Sequence, residues 1–167
     1  MINKICFYTL LMLVLFACDN SAPKQIYTPQ AVTRDDIGYY CNMIVEDHSG
    51  PKGQILLTGM EKAIWFTSVR DAVAFNLLPE EAKNIGAFFV TAMDEAEWGH
   101  PEKKNSNWTT AQSALYVIES KQRGGMGQME VIPFKRQQSA SDFVEKYGGN
   151  IVSYVDIPRD YILGNAH

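Results

Sequence analysis

Cysteine is scarce in this chain, with only Cys6, Cys18 and Cys41 among 167 residues. Basic residues are also few: 15 Lys and Arg stand against 19 Asp and Glu, which gives a net charge of −4. No basic cluster is interleaved with aromatic residues, so we expect no nucleic-acid partner. The sequence further lacks His-Glu-x-x-His, Gly-x-Ser-x-Gly and Walker-type glycine motifs. It therefore carries no signature of the metalloproteases, serine hydrolases or phosphate-loop enzymes that use them.

The longest apolar run lies at the N-terminus, where Lys4 precedes residues 5–16. A membrane-spanning helix needs roughly 20 apolar residues, so this run predicts a signal peptide over residues 1–17. Its ending, Leu15-Phe16-Ala17-Cys18, resembles the lipobox of bacterial lipoproteins. That resemblance implies acylation of Cys18 and a lipid-anchored protein of the bacterial cell envelope that faces the periplasm. An ordinary cleaved signal is the alternative, and the sequence does not distinguish the inner from the outer membrane.

Cys41 is then the sole thiol of the folded part, because Cys6 leaves with the signal and Cys18 carries lipid. An unpaired cysteine in an exported protein indicates an intermolecular disulfide or a thiol kept for function. A buried cysteine that acts as a small hydrophobe is the plain alternative. The aromatic and β-branched content of residues 39–45 predicts a strand, on which Cys41 and Met43 would share a face.

Hydrophobic periodicity predicts an α+β fold made of two related β-β-α-β units, at residues 37–92 and 113–156. Residues 18–36 are polar and contain two prolines, so we predict a flexible tether there. Residues 93–112 are predicted to link the two units, and residues 157–167 to form a C-terminal tail.

Matching landmarks support the repeat, with Gly53-Gln54 aligned to Gly127-Gln128 and Trp65-Phe66 aligned to Pro133-Phe134. In this alignment the glycine-rich residues 124–127 take the place that residues 46–53 take in the first unit. The two loops would face each other, and Met126 would be displayed opposite the strand that carries Cys41.

Cys41, Met43 and Met126 form a three-sulfur set whose chemistry favours Cu(I), because thiolate and thioether are soft ligands. One thiolate neutralises the charge of one Cu(I), and weak thioethers allow the metal to be passed on. His48 is a candidate additional ligand, with a solvated loop histidine as the plain alternative. A role for His48 as a ligand would be better supported if Zn(II) binds the same site, since Zn(II) prefers thiolate with imidazole.

Four motifs in the same order resemble the nitrous oxide reductase accessory protein NosL family. They are Gly38-Tyr39-Tyr40-Cys41-Asn42-Met43, His48-Ser49-Gly50-Pro51-Lys52-Gly53-Gln54, Trp65-Phe66-Thr67-Ser68-Val69-Arg70-Asp71 and Arg123-Gly124-Gly125-Met126-Gly127. The resemblance implies two β-β-α-β units in a fold related to that of an organomercurial lyase. It also implies a Cu(I)-binding metallochaperone with copper ligands at Cys41, Met43 and Met126.

The partners implied by the same resemblance are the maturation machinery of nitrous oxide reductase, namely a membrane transporter complex and its periplasmic component. The copper would serve the multi-copper centre of that enzyme. An enzyme with Cys41 as nucleophile on an organometal substrate is one alternative, but it usually needs a second thiol, which the folded part lacks. A structural envelope lipoprotein is another. We therefore expect a metal-binding protein rather than an enzyme.

Overall fold

A computed structural model describes residues 25–164 of the chain. The predicted signal peptide and the predicted lipidation site at Cys18 lie outside these residues. Within the described part, no helix is both long enough and apolar enough to cross a bilayer.

The first unit is a four-stranded antiparallel sheet with one helix. Its elements are β1 (Gly53–Leu57), β2 (Ile64–Phe66), α1 (Val69–Leu77), β3 (Ile85–Thr91) and β4 (Trp108–Thr110). The strand order is β2-β1-β3-β4. Helix α1 begins after Ser68, whose side chain accepts a hydrogen bond from the Asp71 backbone N–H at 3.0 Å. This is the N-cap arrangement that the Ser-Val-Arg-Asp sequence predicts.

The second unit repeats this plan with three strands. Its elements are β5 (Leu115–Ile118), β6 (Ile132–Phe134), α2 (Gln137–Tyr147) and β7 (Asn150–Ser153), followed by the short helix α3 (Arg159–Leu163). The strand order β6-β5-β7 has the same connectivity as β2-β1-β3, and both of its pairings are antiparallel. The predicted α+β fold of two β-β-α-β units is therefore confirmed.

A shared hydrophobic core joins the two units. Phe66 and Phe75 of the first unit belong to the same buried cluster as Tyr116 and Val131 of the second. Tyr116 is fully buried, and its hydroxyl donates to the Ala111 carbonyl at 2.6 Å. Because both units contribute to one core, loops from the two units are held at fixed positions relative to each other.

The strand expected at residues 39–45 does not form, and this prediction was wrong. Residues 39–41 are a turn, Ile37 and Ile44 form an isolated bridge, and a 3-10 helix follows at Val45–Asp47. The segment pairs mainly with itself, which local composition does not reveal. Cys41 and Met43 therefore do not lie on one face of a strand.

Three segments that we expected to be irregular make ordered contacts. In the predicted tether, the Gln30 backbone N–H donates to Gln54 Oε1 at 2.8 Å, and Gln54 Nε2 returns a bond to the Gln30 carbonyl at 3.1 Å. Strand β4 lies within the predicted linker and pairs with β3. Helix α3 lies in the predicted tail and buries Ile162. Each segment therefore adds ordered contacts to the two β-β-α-β units.

Candidate metal centre

A tight turn holds Cys41 against the start of α1. The Gly38 N–H donates to the Met43 carbonyl at 2.8 Å, the Asn42 N–H donates to the Gly38 carbonyl at 2.9 Å, and Asn42 adopts a φ of 54°. Asparagine tolerates this left-handed conformation better than most residues. The half-buried thiol is free, and its Sγ lies 3.4 Å from Thr67 Oγ1.

Gly38 is required beneath this thiol. A Cβ at Gly38 would lie 2.6 Å from Cys41 Sγ and 2.9 Å from Thr67 Cγ2. The absence of a side chain therefore lets the sulfur lie close over the backbone.

Met126 lies on a closed loop in the β5–β6 connection. The Gly124 N–H donates to the Gln128 carbonyl at 2.9 Å, and the Gly127 N–H donates to the Gly124 carbonyl at 2.8 Å. Gly127 has a φ of +79°, a conformation that glycine adopts without strain. These bonds hold Met126 at the tip of the loop, where its side chain is 37% exposed.

The glycine loop contacts the loop at residues 46–53 but is not its counterpart in the repeat. A Cβ at Gly125 would lie 2.4 Å from the Ser49 carbonyl oxygen, so the two backbones touch. By topology, however, the β5–β6 connection corresponds to the β1–β2 connection. The alignment of residues 124–127 with residues 46–53 was therefore wrong, whereas the prediction that the two loops face each other is confirmed.

A cavity of about 400 Å³ separates the Cys41 turn from the Met126 loop. Cys41 and Met126 both line it, from different units. Met43 does not, and it is 41% exposed on the turn. The lining residues are Tyr40, Cys41, Ser68, Arg70, Asp71, Gly124, Gly125, Met126, Gln128, Met129, Glu130 and Ile162. The cavity thus brings together two of the three predicted sulfur ligands.

His48 is oriented by its own turn. Its Nδ1 lies 3.0 Å from the Ile44 carbonyl oxygen. Because a carbonyl only accepts, Nδ1 is the donor in this contact. His48 does not line the cavity, although its Cβ would lie 3.2 Å from a Cβ at Gly125. Its role as a ligand stays a prediction.

Zn(II) in proteins is bound by thiolate, imidazole and carboxylate ligands. Among residues 25–164, no three His, Cys, Asp or Glu side chains are grouped so that they could hold a metal ion. The sulfur of methionine is the additional soft ligand that the cavity offers.

Glu130 is a residue of the site that we did not predict. It is buried, and its Oε1 accepts from the backbone N–H groups of Arg70 at 3.0 Å and Val131 at 2.9 Å. Burial raises the pKa of this carboxyl to about 7. Its Oε2 would lie 2.8 Å from a Cβ at Gly124. Glu130 thus joins the first turn of α1 to the Met126 loop. In the sequence, the signal for this buried carboxyl was its position within the apolar run before Phe134.

Lys52 lies beneath the same region and is fully buried. Its Nζ donates to the Gly50 carbonyl at 2.7 Å. Burial lowers the pKa of Lys52 to about 8, although attraction to Glu102 and Glu130 opposes this shift. Its positive charge attracts the carboxylates of Glu102 and Glu130, of which Glu130 lines the cavity.

The NosL family model matches residues 29–162. The chain therefore belongs to the NosL family. A protein from Achromobacter cycloclastes named copper-binding lipoprotein NosL is 36% identical over 150 residues, which cover 90% of this chain and 77% of the relative. A protein of the same name from Stutzerimonas stutzeri is 28% identical over 81% of this chain and 69% of the relative.

Solved NosL structures share the fold. The crystal structure of the copper chaperone NosL from Shewanella denitrificans has a TM-score of 0.72 at 30% identity, covering 83% of this chain and 98% of that one. The solution structure of apo-NosL from Achromobacter cycloclastes has a TM-score of 0.51 at 34% identity, covering 70% of this chain and 92% of that one. These NosL relatives are named as binding proteins or a chaperone, which confirms the expectation that the chain is not an enzyme.

Proposed function

We propose that this protein is a Cu(I)-binding metallochaperone. The observation that carries the proposal is the placement of Cys41 and Met126 on one cavity between the two units. Thiolate and thioether sulfur select Cu(I) over harder ions. The copper-binding names of the relatives support the choice of metal.

The chemistry of the cavity suits temporary binding. One thiolate balances the charge of Cu(I), and a thioether completes a low-coordinate shell without strong competition from protons. Cys41 is only half-buried and Met126 is 37% exposed, so an incoming ligand can reach the metal. Copper can then leave by stepwise ligand exchange, without unfolding of the protein.

The recipient in this proposal is the multi-copper centre of nitrous oxide reductase. The membrane transporter complex and its periplasmic component would be the docking partners. The lipid on Cys18 would hold the protein at the envelope membrane, facing the periplasm. The word lipoprotein in the names of the relatives supports such an anchor.

A competition titration with a chromophoric Cu(I) chelator tests the binding site. We expect 1:1 binding by the wild type and a loss of at least about 100-fold for Cys41→Ser, or ~2.8 kcal/mol. We expect a smaller loss for Met126→Ala and the smallest for Met43→Ala, because Met43 does not line the cavity. Met60→Ala is the matched control, because Met60 is 48% exposed and outside the cavity lining. Unchanged affinity in Cys41→Ser would contradict the site and favour a structural lipoprotein.

Delivery needs a separate test in cells. A denitrifying strain that lacks its own NosL would be complemented with the wild type or with Cys41→Ser. Copper content and activity of purified nitrous oxide reductase would be measured from each strain. We expect restoration by the wild type only. Equal restoration by Cys41→Ser would contradict delivery from this cavity.

A further inference from the structure

Met129 is a fourth sulfur near the cavity, and the core does not account for its position. It lines the same cavity as Cys41 and Met126, and its side chain is 37% exposed. The residues that follow it, Glu130 and Val131, are buried. A methionine that filled a core gap would be buried like them.

The Met126 loop holds both thioethers in one closed unit. Met129 forms an isolated antiparallel bridge with Arg123 at the base of the loop, and Met126 lies at its tip. The backbone bonds between residues 124 and 128 and between residues 124 and 127 keep the loop narrow. The loop is also pressed against Ser49 through Gly125. Both methionines therefore line the cavity from the same hydrogen-bonded segment.

Oxygen groups near these sulfurs are less suited to Cu(I). Oε1 of Glu130 already accepts two backbone hydrogen bonds. The Asp71 backbone N–H donates to the Ser68 hydroxyl in the N-cap of α1, and burial raises the pKa of the Asp71 carboxyl. Carboxylates are also hard ligands, which Cu(I) disfavours relative to sulfur.

We infer that Met129 is a Cu(I) ligand and forms a three-sulfur shell with Cys41 and Met126. This inference rests on the proposed function and makes it more specific. The first unit supplies the thiolate, and one loop of the second unit supplies both thioethers. Met43, which does not line the cavity, is outside this shell.

The same Met-to-Leu substitution at Met129 and at Met43 compares how much each sulfur contributes to Cu(I) affinity. Leucine removes sulfur while it keeps most of the volume, so Met129→Leu and Met43→Leu are matched. In the Cu(I) chelator titration we expect Met129→Leu to lose about tenfold or more in affinity, and more than Met43→Leu loses. An equal or smaller loss for Met129→Leu would overturn the inference. If Cys41→Ser still abolishes binding in that case, the proposed function stands without Met129.

A second readout separates a ligand from a packing residue. The protein would be labelled with ¹³C at the methionine methyl groups and titrated with Ag(I), a redox-stable soft cation. We expect the Met126 and Met129 methyl signals to shift at one equivalent, while that of Met60 stays fixed. A fixed Met129 signal would overturn the inference, and a fixed Met126 signal as well would count against the proposed site.

Discussion

Replacing Gly125 by alanine should weaken copper binding by moving the Met126 loop. The new Cβ would lie 2.4 Å from the Ser49 carbonyl oxygen, 2.9 Å from the Ser49 nitrogen and 3.2 Å from His48 Cβ. The first two contacts are with backbone, which cannot rotate away as a side chain can. The loop must therefore move away from residues 46–53 and from the first unit.

The size of this displacement follows from the contact distances. Ordinary contact begins at 3.4 Å, so the loop must retreat by about 1 Å from Ser49. We expect the overpacking to cost about 1–3 kcal/mol of folding free energy. Changes to groups that position metal ligands typically cost about 10- to 100-fold in affinity, and we expect a Cu(I) affinity loss in that range.

The assay combines chelator competition with denaturant unfolding of the apo protein. Gly127→Ala is the control in the same loop, because its φ is +79° but nothing lies within 4 Å of the new Cβ. It introduces backbone strain without a clash against the first unit. We expect Gly125→Ala to lose more affinity than Gly127→Ala. A folded Gly125→Ala protein with wild-type affinity would refute the idea that this loop contact sets the site.

Three further substitutions test the fold and its charges. Burial lowers the pKa of Lys52 from 10.5 to about 8, which destabilises the wild type below pH 8 by about 3 kcal/mol. This destabilisation disappears as the pH rises to 10.5, so denaturant unfolding should show wild-type stability rising relative to Lys52→Met over that interval. Ile162→Ala should lower the unfolding free energy by about 2–5 kcal/mol, because Ile162 of α3 is 4% exposed. Gly86→Ala should expose the N-terminal segment to limited proteolysis, because the new Cβ would lie 2.3 Å from the Tyr27 ring.

For each of the three substitutions, one result would contradict the expectation. Parallel stability curves for wild type and Lys52→Met between pH 8 and 10.5 would contradict the shifted lysine, since tyrosine titration is common to both proteins. Val155→Ala is the control for Ile162→Ala, because Val155 is 86% exposed, and equal losses would show that α3 is not part of the core. Gly99→Ala has nothing within 4 Å of its new Cβ and should leave proteolysis at the N-terminal segment unchanged.

Periodicity predicted the helix of the second unit well. Ala140, Phe143, Val144 and Tyr147 follow helical spacing, and α2 forms at Gln137–Tyr147. Gly148 ends it with a φ of 71°, as a glycine after the last helical residue predicts. These features depend on neighbours in sequence, so the sequence alone is sufficient to find them.

Two features of the first unit were missed. Strand β4 was taken as linker because it is short and polar, and only its pairing with β3 makes it a strand. The turn at residues 39–41 has strand-like composition, but Asn42 bends the backbone into a closed loop. Tertiary pairing overrode local propensity at β4, whereas hydrogen bonds within residues 38–43 hold the turn.

The candidate site was predicted in part. Cys41 and Met126 were selected from their chemistry and their family-like motifs, and both line the cavity. Met129 and Glu130 were not selected, because their relation to Cys41 depends on how the two units pack. Met43 was paired with Cys41 through a strand that does not exist. Sequence chemistry indicated which atoms could bind, whereas only the fold shows which of them share a cavity.

Hydrogen exchange of the apo and Cu(I)-loaded protein is the most direct test that one copper ion joins the two units. We expect slower amide exchange on loading in both residues 38–43 and residues 124–129, with no change in either segment for Cys41→Ser. Slower exchange in only one of the two segments would contradict a site shared between the units.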